Sequence, residues 1–367
     1  MFRLRRRPPR TRSARLPAGR PRGSRSFSFA ALGLFALLFL PVGVTGCGGE
    51  DVTVYCALDR NFAEPLLRRF EEKTGLKVRA LYDVEAVKTV GLVRKIVEEA
   101  KSGRVRCDVF WNNEIVNTIK LKQQGLLAPY ASPGAKEIPP GFKDPEHYWT
   151  GFAARARILA VNTERLPDRS KWPRSYADLA APAFKGLGGM AKPLAGTTAT
   201  HGVVLFQKLG KEGAEAFFRK LVESGVEFTA GNAHLMRRVR EGKLAFGFTD
   251  TDDFNVALRS GYPVEAVYPD QGGGEMGTLV LPNTVAMLAG CPHPEAAKRL
   301  IDYLLSPEVE AALARCDSAQ IPLHPGVERP EGVKVPGKDF RAMEVDFERA
   351  AREFDACQEF FRRLFIR

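Results

Sequence analysis

The most informative feature of this sequence is the alternation, from Val52 onward, of short strand-like segments with amphipathic helical segments. Val52–Cys56 and Leu76–Tyr82 are rich in β-branched and aromatic residues. Between them, the segment from Asn61 places apolar side chains at helical spacing and ends at Gly75. The pattern continues with a helix from Val87, a strand at 105–111 and a helix at 113–124. Such alternation predicts an α/β fold with a mostly parallel, doubly wound sheet.

A second set of alternating segments begins near Gly151. Its predicted strands are 152–161, 187–191, 226–229 and 244–249, and its clearest helix is 214–224. Another long apolar strand is predicted at 278–285, and two helices follow it at 294–305 and 307–315. This order suits a chain that forms two lobes and crosses between them twice.

The N-terminal segment has the composition of an export signal. Ten arginines lie between Arg3 and Arg25, and an apolar run from Phe27 to Leu40 follows them. Removing those ten charges from the formal net charge of +12 leaves +2, so the rest of the chain gives no reason to expect a nucleic-acid partner. Because Pro41 interrupts the apolar run before the roughly 20 residues that span a bilayer, we expect a signal rather than a transmembrane helix.

The end of this segment, Val44–Cys47, resembles the bacterial lipobox, in which a cysteine after small residues is lipidated and becomes the mature N-terminus. We therefore expect residues 1–47 to be a lipoprotein signal segment. Lipidated Cys47 would then anchor the protein outside the cytoplasm, on the membrane. A plain secretory signal is the alternative.

A cluster of carboxylates directly follows the apolar strand near residue 248. Asp250, Asp252 and Asp253 lie within four residues, where the carboxyl end of a strand would form the floor of a pocket. Carboxylates so close together repel one another when buried unless a cation or hydrogen-bond donors compensate. The cluster therefore indicates a site for a cationic ligand or a hard metal ion. The alternative is a helix N-cap that orients the same carboxylates toward free backbone N–H groups.

Other polar residues also follow predicted strands. Thr197 and Thr198 precede an apolar helix, so the backbone N–H groups there could hold an anion or simply be capped. Since the carboxyl ends of strands form ligand sites in open α/β sheets, the remaining strand-end candidates belong to the same predicted site. They are Asp59, Glu85, Asn113 and Glu114.

Motifs of common catalytic sites are missing from the sequence. It contains no G-x-S-x-G or H-E-x-x-H motif and no glycine-rich phosphate loop. A hydrolase that uses the aspartate cluster remains a remote alternative, because no nucleophile with a positioned base can be named. We therefore predict a binding protein rather than an enzyme, with no resident cofactor.

Five cysteines follow Cys47 in the sequence. Cys291 and Cys316 bracket one helical segment, and an oxidising compartment would allow them to pair. The odd number leaves at least one thiol free.

Four segments of the sequence form a recognisable set: Val52–Arg60, Phe70–Val78, Asp108–Trp111 and Gly125–Tyr130. They resemble the family 1 extracellular solute-binding proteins, and the nearest branch is the periplasmic ferric-ion receptors. The resemblance implies the type II periplasmic-binding-protein fold, in which two α/β lobes joined by crossing strands close on a ligand by hinge motion. It also implies that the chain, acting as a monomer, docks on an ABC permease that works with its ATPase.

Applied to this sequence, the resemblance places the crossing strands near 151–157 and 279–285. The first lobe is then 51–153 plus 284–318, and the second lobe is 154–283 plus 319–367.

The sequence departs from the ferric-receptor pattern at the expected iron ligands. Asp252 and Asp253 stand where the family has a tyrosine pair, and Leu58 or Asp59 replaces a histidine. The family's glutamate falls one place later, at Glu114. Because ferric iron also accepts carboxylate oxygen, we expect iron(III) or another hard cation on Asp252, Asp253 and Glu114. The alternative ligands are a polyamine on the carboxylates, or a phosphonate or sugar phosphate at Thr197 and Thr198.

Overall fold

The computed structural model describes residues 51–83 and 90–366. Its strands are β1 (Val52–Cys56), β2 (Val78–Tyr82), β3 (Val109–Asn112), β4 (Leu127–Ala128), β5 (Thr150–Asn162), β6 (Gly188–Ala191), β7 (Glu227–Thr229), β8 (Phe246–Asp250), β9 (Val264–Val267) and β10 (Val280–Leu288). Its α-helices are α1 (Arg60–Thr74), α2 (Val90–Lys101), α3 (Val116–Gln123), α4 (Gly196–Glu223), α5 (Asn232–Arg240), α6 (Thr251–Arg259), α7 (Pro294–Leu304), α8 (Pro307–Arg315) and α9 (Phe347–Phe365).

The first half of the fold, which contains β1 to β3 and helices α1 to α3, is built on parallel strands. β1 pairs in parallel with β2 on one side and with β3 on the other. Helix α1 connects β1 to β2 and buries Leu66, Leu67 and Phe70, and it ends where Gly75 adopts the left-handed conformation. The predicted strand–helix–strand unit is therefore present, with the helix starting one residue earlier than the sequence indicated.

The second half, which contains β6 to β8 and helices α4 to α6, repeats this arrangement around β6. Strand β6 pairs in parallel with β7 and β8, and β8 pairs antiparallel with the 13-residue strand β5, which is buried throughout. Helices α4, α5 and α6 follow strands β6, β7 and β8 respectively. Each of these three helices therefore starts at the carboxyl end of a strand, which is where α/β sheets place ligands.

β10 and β5 pair antiparallel and join the two halves. The sheet runs in the order β2-β1-β3-β10-β5-β8-β6-β7, with β4 beside β10 and β9 beside β5. This arrangement confirms the α/β class and the type II periplasmic-binding-protein fold, with β5 and β10 as the crossing strands. The lobe boundaries proposed from the sequence stay a prediction.

Three helices differ from the sequence-based expectation. Helix α5 was not predicted. The predicted helix 214–224 is the second part of α4, which begins at Gly196 and is interrupted by the non-helical backbone of Gly210. Helix α9 near the C-terminus was not predicted, although Phe354, Phe360 and Phe361 form its buried face. These rings pack into a core that also contains residues of the first half, such as Phe110 and Ile119.

The cysteines of the described chain settle one further expectation. The five cysteines there are free thiols, so the possible bridge between Cys291 and Cys316 is not formed. Within residues 51–83 and 90–366, no helix combines the length and the apolar character that crossing a bilayer requires. Cys47, the expected lipidation site, lies outside the described residues.

Candidate functional site

A cleft lies where the N-termini of α5 and α6 meet the beginning of α1. Its outer part is a cavity of about 610 Å³, bordered by Asp59 and Phe62 from the first half and by Arg237 and Asp252 from the second. An inner pocket of about 70 Å³ continues it toward the crossing strands. Seven of the residues that the sequence analysis selected line this inner pocket: Asp59, Asn113, Thr197, Thr198, Asp250, Asp252 and Asp253.

The three aspartates converge because a strand ends and a helix begins between them. Asp250 is the last residue of β8, and Asp252 and Asp253 occupy the first turn of α6. One carboxylate oxygen from each residue lies within 4.8 Å of the others. Asp250 holds the N-cap position but makes no side-chain capping bond. Its carboxylate instead bonds to side chains of neighbouring elements around the pocket.

Asp250 is the centre of a buried polar network. Its Oδ1 lies 2.7 Å from Nη1 of Arg157, and its Oδ2 accepts hydrogen bonds from Thr197 (2.5 Å) and Asn232 (2.8 Å). The Arg157 side chain is fully buried, and its guanidinium group lies over the ring of Phe248. Both oxygens of Asp250 are thus satisfied, and its charge is balanced inside the protein.

Asp252 also faces an arginine. Nη1 of Arg155 lies 3.2 Å from Oδ2 of Asp252, and Nη2 donates to Oδ1 of Asn283 on β10. Arg155 and Arg157 are two residues apart on β5, so the alternation of a strand places both side chains on the same face. Two of the three carboxylates therefore have a guanidinium partner.

Sequence reasoning missed these arginines. The signal was present, because two arginines interrupt a segment that is otherwise typical of a fully buried strand. A buried arginine is rare unless it has a partner of opposite charge. Searching for acidic partners of Arg155 and Arg157 would have linked the crossing strand to the aspartate cluster.

Two helix N-termini also open on the inner pocket. Helices α4 and α5 begin at Gly196 and Asn232, and neither has an acidic residue in its first turn. Their positive ends favour negative charge. The hydroxyls of Thr197 and Thr198 are already used within the protein, on Asp250 and Asn232 respectively. An anionic group would therefore meet backbone N–H groups and Lys192 rather than these hydroxyls.

Glu114 does not lie in the cleft. Its side chain is fully buried and accepts hydrogen bonds from the backbone N–H groups of Val116 and Asn117, from Asn112, and from Thr200 of α4. These bonds cap α3 and join it to α4. The expectation that Glu114 binds a metal therefore needs correction, because its oxygens are used within the protein core. Glu85 lies outside the described residues.

His201, the histidine closest to the predicted anion site, lies behind the pocket. Its ring packs edge-on against Tyr176 and Phe248, and neither ring nitrogen has a hydrogen-bond partner among the described residues. Burial and the nearby charge of Arg157 hold the pKa of His201 well below its usual value. The ring is therefore neutral and supports Phe248 beneath the guanidinium of Arg157.

Several known proteins resemble this chain in sequence or in structure. An uncharacterised protein of Haemophilus influenzae is 27% identical over 325 residues, which cover 86% of this chain and 90% of the relative. A putative 2-aminoethylphosphonate-binding periplasmic protein of Salmonella typhi is 27% identical over 194 residues, covering 52% of this chain and 55% of the relative. The ferric binding protein from Campylobacter jejuni superposes with a TM-score of 0.76 at 25% identity, over 86% of this chain and all of the other.

A family model provides the assignment. The model of the bacterial extracellular solute-binding proteins matches residues 118–342, which include β5, the aspartate cluster and β10. This match covers more than half of the chain. The chain therefore belongs to the bacterial extracellular solute-binding proteins.

Proposed function

We propose that this protein captures a small solute in its cleft and delivers it to the permease of an ABC importer, which an ATPase drives. The observation that carries the proposal is the convergence of Asp250, Asp252 and Asp253 in a pocket beside the crossing strands. Crossing strands are where a two-lobed receptor bends, so a ligand there would contact both halves and favour closure. Family membership supports the same role.

Iron(III) or another hard cation is the first candidate ligand. Carboxylate oxygens are suitable ligands for such ions, and the three aspartates present them within 4.8 Å of one another. The likeness to the Campylobacter jejuni ferric binding protein supports this candidate. The transported ion would be cargo and not a resident cofactor.

A small organic ligand that carries both charges is the second candidate. The specific observation in its favour is the presence of Arg155, Lys192 and two helix N-termini around the same inner pocket. An amino group could bind the aspartates while an anionic group binds these positive groups. The likeness to the 2-aminoethylphosphonate-binding protein of Salmonella typhi supports this candidate.

Calorimetric titration of metal-stripped protein separates the two candidates. Wild type is titrated with Fe(III)-citrate, with 2-aminoethylphosphonate and with spermidine, and compared with Asp252→Asn/Asp253→Asn. The matched control is Asp317→Asn/Asp355→Asn, which changes two exposed aspartates outside the cleft. We expect the heat of the true ligand to disappear only in the cleft variant. Equal heats from wild type and the cleft variant would contradict a site at the aspartates.

We further propose that the protein works outside the cytoplasm on a lipid anchor at Cys47. The order of basic, apolar and small residues before Cys47 supports this proposal. A Cys47→Ser variant, expressed in a bacterium with lipoprotein-processing enzymes, should carry no lipid. It should leave the membrane fraction or keep its signal segment uncleaved. Mass spectrometry of the mature N-terminus should find acyl chains on Cys47 in wild type; an unmodified residue there would contradict the anchor.

A further inference from the structure

Arg155 is a buried cation that faces the ligand pocket. The residue is 2% exposed, yet it lines the inner pocket together with Asp252, Asp253 and Thr197. Its Nη1 lies 3.2 Å from Asp252, and its Nε is buried without a hydrogen-bond partner within residues 51–83 and 90–366. A guanidinium group with an unsatisfied donor in such a place is costly for folding alone. This cost suggests a role in the pocket.

The crossing strand β10 holds the Arg155 side chain in position. Asn283 accepts a hydrogen bond from Arg155 Nη2 at 3.0 Å. The amide nitrogen of Asn283 in turn donates to the backbone oxygen of Ala153 and to the Gln320 side chain. Arg155 is thus held toward Asp252 by side chains that do not line the pocket. Its charge is therefore a constant feature of the site.

The formal charge of the inner pocket follows from this arrangement; Arg237 and Arg240, which border the outer cavity, are not included in the sum. Asp250, Asp252 and Asp253 supply three negative charges, and Arg155 and Arg157 supply two positive charges. The two further charged residues of the inner pocket, Asp59 and Lys192, cancel each other. The net formal charge of these seven side chains is −1. Without Arg155 it would be −2, in a partly buried pocket where charges interact more strongly than in water.

We propose that Arg155 determines which ligand charge the cleft accepts. By cancelling the charge of Asp252, it adapts the site to a ligand whose net positive charge is small, either the organic candidate or an iron(III) ion that brings its own anion, and it disfavours a trivalent ion that binds alone. This inference rests on the proposed function, because it concerns the same cleft. It makes Arg155 a specificity-determining residue that no motif of the aspartate cluster would reveal.

Binding of Tb(III), a hard trivalent ion followed by its luminescence, tests this role in four proteins. Arg155→Met removes the positive charge and should tighten Tb(III) binding at least about tenfold. Asp252→Asn removes the negative charge and should weaken binding by at least about as much. The double variant Arg155→Met/Asp252→Asn restores the formal charge and should return to within about threefold of wild type.

Comparison of the single and double variants separates charge selection from a structural role. If Arg155 only stabilised the fold, Arg155→Met would lower stability and would not tighten binding of any cation. Arg219→Met serves as the matched control, since it breaks an ion pair with Glu215 outside the cleft and should leave the Tb(III) affinity unchanged. Thermal unfolding of each variant shows whether it is folded under the titration conditions.

The results distinguish this inference from the proposed function. If Arg155→Met binds Tb(III) no more tightly than wild type, the charge-selection role is wrong. The receptor role would still stand if the ligand heats described above depend on Asp252 and Asp253. If those heats do not depend on the aspartates, the proposed site itself fails, whatever the Tb(III) affinities are.

Discussion

At the scale of single residues, the site is defined by how its carboxylates are balanced. Asp250 has a buried guanidinium partner and two hydrogen-bond donors, whereas Asp252 is partly exposed at the pocket. The first arrangement builds the floor of the pocket, and the second leaves a carboxylate at its surface, where we propose that the ligand binds. Substitutions of Asp250 and Asp252 should therefore have different effects, although both side chains are carboxylates.

Replacing Asp250 should affect stability strongly. Asp250→Asn preserves the shape of the side chain but leaves the fully buried Arg157 without a charge partner. We expect a loss of about 3–5 kcal/mol in the free energy of unfolding, measured by urea denaturation. The control is Glu265→Gln, which removes the partner of Arg169 in an exposed pair and should cost less than about 1 kcal/mol. Similar losses in both variants would contradict a special role for the buried pair.

His324 gives the stability a defined pH dependence. Its Nδ1 lies 2.9 Å from Glu310 and its Nε2 lies 2.9 Å from the backbone oxygen of Gly134. The hydrogen bond to Glu310 raises the pKa of His324 above its usual value, against the opposing effect of burial. The protonated form is thus favoured in the folded protein. The resulting stabilisation is complete below the unfolded-state pKa of about 6.5 and is lost as the pH rises through the folded-state pKa.

We expect His324→Gln to reduce the free energy of unfolding by about 1–3 kcal/mol at pH 6 and by less at pH 9. Urea denaturation at the two pH values measures the difference. A reduction of the same size at both pH values would show that protonation of His324 does not stabilise the fold.

The sequence located the pocket better than it identified the roles of its residues. The rule that ligands bind at the carboxyl ends of strands correctly brought Asp59, Asn113 and Asp252 to one cleft, because it depends only on chain order. It failed for Glu114, since a strand-end glutamate can equally cap the next helix, and only the fold shows which way the side chain points. Long-range pairs such as Arg155 with Asp252 depend on strand order, which the sequence does not display directly.

At the scale of elements, α4 shows how one residue can divide a helix. Gly210 has φ 71° and ψ 166°, a conformation that is essentially restricted to glycine, whereas the nearby Gly213 lies within regular helix. The break ends the first part of α4 before the segment that periodicity had predicted as a separate helix. The apolar helix predicted after Thr198 and the helix predicted at 214–224 are therefore both present, separated by the break at Gly210.

Alanine substitutions at the two glycines should have opposite effects. Gly210→Ala forces a β-carbon into the unfavourable conformation and should lower the free energy of unfolding by about 1–3 kcal/mol. At Gly213 there is room for a methyl group, with the closest contact at 3.4 Å. Gly213→Ala should therefore raise the free energy of unfolding by about 0.5–1 kcal/mol. Urea denaturation measures both. A stabilising Gly210→Ala would show that the break in α4 is not required by the fold.

At the scale of the whole molecule, the two halves are joined by more than the crossing strands. Alternation of strands and helices predicted the α/β class, because that pattern is local. The shared apolar core could not be predicted in the same way, since it depends on packing between segments far apart in the chain. Phe361 of α9, for example, contacts Phe218 of α4, and Lys120 of α3 forms an ion pair with Asp355 of α9. Helix α9 therefore connects the first half to the second.

This connection predicts unusual protection for a helix so close to the C-terminus. Terminal segments commonly exchange their amide hydrogens quickly because they fray. In α9, however, Ala350, Phe354 and Phe361 are buried, and Gln358 donates a buried hydrogen bond to Pro193. Opening α9 would expose the shared core, so its amides should exchange nearly as slowly as those of residues 197–206 in α4, within about tenfold. Hydrogen–deuterium exchange with mass spectrometry measures both, with the loop at 326–332 as the fast reference. If α9 exchanges as fast as that loop, it is an appendage that does not hold the two halves together.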